Sequence, residues 1–138
     1  MWIQLGGKWR RLPARRAAVW QALVSLVKEQ LAGLDSHGPP PPLSDFRYAT
    51  EPVAKSGPRR GYVDDRFLPW WKLPQDSEGR RIGDCEDLST AFVARAVAAE
   101  GLRAVPVVER IAGSGFHALA ALVDPEHGQI LPRGRYYA

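Results

Sequence analysis

Proline and glycine set the limits on what this chain can become. Its 138 residues include twelve prolines and thirteen glycines, and their distribution is uneven. Pro39 to Pro42 follow Ser36-His37-Gly38, and Pro52, Pro58, Pro69 and Pro74 come after them. Proline fixes φ and has no N–H to donate, so neither a helix interior nor a central strand survives that spacing. The Ser36–Pro42 stretch is expected to be a stiff spacer, and residues 43–81 a long irregular segment with one short strand near Tyr62. Phe67, Leu68, Trp70, Trp71 and Leu73 would hold that segment against the body. Trp70 and Trp71 read either as core packing or as a wall of a cleft beside Cys85.

Regular structure is left to two windows. From Pro13 to Leu31, Ala17, Trp20, Leu23/Val24, Val27 and Leu31 recur at three- and four-residue steps, with proline at the start and Gly33 past the end. That spacing predicts a first helix. A second helix is expected from Asp84 to Glu100, closed by Gly101. Strands are expected over 105–109, 117–123 and 129–137, with Asp124-Pro125-Glu126-His127-Gly128 as the turn between the last two. One Cys-bearing helix packed on a small antiparallel sheet makes the fold class α+β. Residues 67–138 would be the core and residues 1–66 an accessory helix and Pro-rich region, together one domain. There are no internal repeats.

Charge narrows the partners only slightly. The net charge is +4, with basic residues clustered at Lys8 to Arg16, Arg59-Arg60, Arg80-Arg81 and Arg133/Arg135. Such clusters serve nucleic acid or an anionic assembly partner, or are simply solvated arginines. No nucleic-acid motif accompanies them, so a nucleic-acid partner is not expected. No run approaches the roughly 20 apolar residues of a membrane span, and the N-terminus lacks a signal-peptide core. A cytoplasmic or virion-associated protein is the expectation.

Gly83-Asp84-Cys85-Glu86-Asp87 carries the chemistry. It holds the only cysteine and opens the second helix. A helix N-terminus presents unpaired N–H groups and a positive dipole end, which favour thiolate. Of the histidines, His37 lies in the spacer, His127 in a turn, and His117 begins an apolar strand. Cys85 and His117 are therefore the candidate nucleophile–base pair. Glu86 and Asp87 are the acidic first-turn residues that the dipole favours. No cofactor is called for.

These residues resemble the transglutaminase-like superfamily, and most nearly the bacterial transglutaminase-like cysteine proteinases of papain-like fold. Trp71, Pro74 and Gly83-Asp84-Cys85-Glu86-Asp87 follow that family's layout. Gly101-Leu102-Arg103-Ala104-Val105-Pro106-Val107 is similar to its passage from helix to first strand, and Ser114-Gly115-Phe116-His117 to its histidine strand. The likeness covers about half the chain. It implies that Cys85 is the nucleophile and His117 the base and later general acid, with backbone N–H groups at the helix start binding an oxyanion. Peptide hydrolysis and acyl transfer from glutamine are the activities it implies, on a peptide or protein substrate. Some relatives bind calcium through acidic residues near the cysteine.

The pattern breaks at the third residue. The family orients its histidine with an acidic residue on the next strand. Asp124 is excluded, because seven steps of roughly 3.3 Å place it about 20 Å from His117. Folding the hairpin at the turn returns Arg133, Gly134 and Arg135 beside His117, and none is a carboxylate. Asp64, Asp65 or Gln75 could substitute, or the pair could act as a slow dyad. Alternatively the domain keeps the fold without the chemistry, as a structural or assembly protein of the kind found among phage virion components. Its front half would then be the assembly surface.

Overall fold

The computed structural model describes all residues except 1, 51–54, 58–59, 61–64, 111–114, 125, 127–129 and 138, and describes Asp65 and residues 130–137 by backbone alone. The chain opens with a hairpin the sequence reading did not anticipate. β1 (Trp2–Leu5) pairs antiparallel with β2 (Lys8–Arg11) across Gly6-Gly7. Both glycines have positive φ, 61° and 78°, as a tight two-residue hairpin turn requires.

α1 (Arg16–Ala32) starts three residues later than expected, because Pro13 belongs to a turn in which its carbonyl accepts the Arg15 N–H. Its buried stripe is Val19, Ala22, Leu23, Leu26, Val27 and Gln30. Ala17 and Trp20, which the periodicity counted with that stripe, are exposed. A single helical turn, α2 (Leu34–His37), then occupies part of the expected spacer, ending at Gly38 with φ 74°.

The irregular segment contributes two further strands, β3 (Phe46–Tyr48) and β4 (Asp65–Phe67), and single 3-10 turns at Leu43–Asp45 and Trp70–Lys72. The strand expected near Tyr62 lies outside the described residues. β4 joins the hairpin by parallel pairing with β1. β3 pairs parallel with β5 (Arg81–Gly83). α3 (Cys85–Ala99) follows at once, and then β6 (Ala104–Arg110), β7 (Phe116–Val123) and β8 (Ile130–Tyr137), an antiparallel sheet in that order. The fold is α+β.

One cluster ties the ends of the chain together. Ile3, Val19, Ala22, Leu23, Leu26, Phe67, Val108 and Ala118 bury one another, and Cys85 and Phe116 pack against them. A second cluster, Phe46, Leu73, Leu88 and Ala91, takes in Trp70. A third joins Val27, Val93 and Ala120. Leu23 and Leu26 are fully buried, worth about 1.5–3 kcal/mol each. Residues of the front stretch therefore share a core with β6 and β7. No helix is long and apolar enough to cross a membrane among the described residues.

Candidate active site

Cys85 is the first residue of α3, half-buried. The turn that presents it is built by its acidic neighbours. Asp84 is the N-cap in extended conformation, and Asp87, three residues on, reaches back so that its Oδ2 accepts the Asp84 N–H at 3.2 Å, completing a capping box. Asp87 Oδ1 accepts the Leu68 N–H, also at 3.2 Å, which moors the irregular segment to the helix start. Gly83 lets the turn close. A Cβ there would lie 2.7 Å from the Asp87 Cβ and 2.9 Å from Leu88 Cδ1.

The corner is densely acidic. The Cys85 thiol donates to Glu86 Oε2 at 3.4 Å. Glu86 is 6% exposed, and burial first, then its hydrogen bond with Asp84 and the charges of Asp84, Asp87 and Cys85, push its carboxyl well above the usual range. Asp84 Oδ1 and Glu86 Oε1 have no donor among the described residues. A carboxyl raised in this way serves the helix dipole less well than an exposed acid would.

Asp84, Glu86 and Asp87 each bring a carboxylate oxygen within 4.8 Å of the others. Such a hard-oxygen set is of the kind that holds a divalent cation. Tyr48, which sequence reasoning missed, borders the same corner through its pairing with Gly83. Its phenol is pushed above 10.0 by partial burial and by the charges of Cys85, Asp84 and Glu86. Nothing in the local sequence marks Tyr48, because the β3–β5 pairing that delivers it spans a long stretch of irregular chain.

His117 is the second residue of β7, paired with Glu109 of β6. Its chain neighbours are Phe116, which packs on the cluster that Cys85 packs on, and Ala118, which belongs to it. The sheet therefore brings the chain at His117 to the end of the core where Cys85 sits. Side chains alternate faces along a strand. Ala118 and Ala120 meet the residues of α1 and α3, so His117 takes the other face, with Leu119 and Ala121.

The candidates for orienting His117 resolve unevenly. Asp124 follows β7 and accepts the Glu126 N–H at 2.8 Å, at the far end as expected. Gln75 is engaged elsewhere, donating to the Gly79 carbonyl at 3.1 Å. Asp64 lies outside the described residues, as do the Asp65 side chain, His127 and Ser114. Arg133, Gly134 and Arg135 do not return beside His117. Pairing begins at Val123↔Ile130, a bulge shifts the register, and Arg135 meets Ala121 while Tyr137 meets Leu119.

Trp70 and Trp71 answer to packing. Trp70 lies with Phe46, Leu73 and Leu88, its backbone N–H donating to buried Gln30 Oε1 at 3.0 Å. Trp71 stacks on His37 at 4.1 Å between ring centroids and covers Gly33. Comparison with family models, curated proteins and solved structures finds no match to this chain.

Proposed function

We propose that this chain is a transglutaminase-like cysteine hydrolase or peptidase-type domain, with Cys85 as nucleophile and His117 as base and later general acid. The observation that supports the reading is the seating of Cys85. It is the first residue of a helix packed on an antiparallel sheet, against the cluster that includes the chain neighbours of His117. Attack of Sγ on a peptide or protein acyl carbon passes the thiol proton to the imidazole. The imidazolium returns it to the departing amine, and water cleaves the thioester.

A second reading is favoured by the acidic groups crowding Cys85. In it the domain is catalytically degenerate and serves as a structural or assembly component, such as part of a phage particle.

Iodoacetamide alkylation of Cys85 across pH, in the wild type and in His117→Ala, separates the two. The catalytic reading expects labelling at about pH 6 to slow roughly tenfold or more in the variant, since the imidazole holds the thiolate. Equal rates in both proteins at every pH leave only the assembly reading.

A further inference from the structure

Among the described residues β6 is an edge strand, paired with β7 on one side alone. Its other side faces α1, where the Trp20 indole N–H donates to Pro106 O at 2.9 Å and Arg16 Nη2 to Val108 O at 3.1 Å. Pro106 has no N–H to offer. The carbonyls on which an added strand would register are taken, so strand addition, the usual use of an open edge, is closed off here. What remains is a shallow groove of about 410 Å³ between helix and strand, lined by Arg16, Ala17, Trp20 and the run Val105 to Val108. Trp20 in it is 43% exposed.

One end of the groove is cationic. α1 begins with Arg15 at the cap position and Arg16 first in the helix, with no side-chain cap and no acidic residue in the first turn. A helix N-terminus favours anions, so arginines there add to an already positive potential. Arg110, at the end of β6, donates to Ala14 O at 3.3 Å and brings a third guanidinium to the place. All three arginines are exposed. No Asp or Glu precedes Glu29 in the chain.

We infer that this groove docks an acidic peptide segment of a partner protein. An apolar side chain of the segment lies against Trp20, Val105 and Val107, and flanking carboxylates meet Arg15, Arg16 and Arg110. Charge complementarity selects this occupant. A second copy of the chain would bring another surface of a +4 protein, and a nucleic acid would leave the valines of the groove uncovered. The site shares no residue with the Cys85 corner and holds whether or not that corner is active.

The test titrates the ¹⁵N-labelled full chain with the peptide Glu-Asp-Glu-Phe-Leu-Asp-Glu and follows the Trp20 indole N–H, assigned through Trp20→Phe. The expected result is a saturable shift of that resonance. Affinity should fall roughly tenfold in Arg15→Ala and at least as much when glycines replace Phe and Leu in the peptide. An unmoved Trp20 resonance overturns the inference, and so does equal binding of the glycine peptide. A single-stranded oligonucleotide that moves the resonance at lower concentration than the peptide also overturns it, by making the groove a nucleic-acid surface. The wild-type titration decides without any variant.

Discussion

Glu86 is a first-turn acid whose carboxyl is pushed up by burial, and this has a measurable sign. The folded chain holds the carboxyl proton at pH values where the unfolded chain has released it. The stability it contributes is full below the unfolded value near 4.5 and is lost as pH rises through the raised folded value. Glu86→Gln should flatten the fall in stability that rising pH brings, compared at about pH 5.5 and about pH 8. Urea unfolding in chelator at both pH values measures it, and parallel slopes for the two proteins would sink the assignment. Gly83 offers a second residue-scale test. Alanine there drives its Cβ into Asp87 and Leu88, and should cost about 1–3 kcal/mol, read as a lowered urea midpoint. The place of Cys85 could be read from the sequence because a cap is written in adjacent residues. The state of Glu86 could not, since burial is supplied by segments distant in the chain.

α3 was legible almost to its ends, because Asp84, Asp87 and Gly101 are local start and stop signals. α1 was legible as a helix, with Leu23 and Val27 on its buried side, but not in the exposure of Ala17 and Trp20. Two apolar stripes at three- and four-residue steps run through it, and the one containing Trp20 lost to the one containing Val19, Ala22 and Leu26. Gln30 helps fix that choice. It is fully buried, its Nε2 donates to Thr90 Oγ1 at 3.2 Å and its Oε1 accepts the Trp70 N–H. Gln30→Leu leaves the Trp70 N–H without its acceptor and should cost about 1–3 kcal/mol despite the added apolar surface. Asp87 binds α3 to the segment before it in the same way. Asp87→Ala removes a capping partner and the acceptor for Leu68, and should cost about 2–4 kcal/mol. Asp87→Asn, with one acceptor oxygen instead of two, should fall between alanine and wild type. Thermal melts of the three proteins give the order, and an asparagine variant as weak as alanine would show that charge, not acceptor count, matters. β8 was legible as a strand but not in register, because a bulge leaves no local residue signature.

At the scale of the molecule, the boundary drawn at residue 67 runs through a strand pair, for Phe67 sits opposite Leu5. Ile3 is 1% exposed in the cluster shared with Val108 and Ala118. Residues 67–138 expressed alone should therefore fail to give a cooperative urea transition. A sharp transition in that fragment would restore the division into core and accessory region. Long-range parallel pairing is what sequence patterns convey least, which is why β3 and β4 are not legible, whereas the β1–β2 hairpin carries a local Gly6-Gly7 turn signal. The pairing of β1 with β4 also orders events in time. Ile3 lies opposite Asp65, roughly 60 residues later in the chain, and its other neighbours in β6 and β7 come later still. β1 thus waits for its β4, β6 and β7 partners well after β2 and the α1 residues of the same cluster have been made. Until then the part of its apolar face that α1 does not cover is open to other nascent chains, so slow elongation through the proline-rich middle lengthens the interval in which this protein is prone to aggregate.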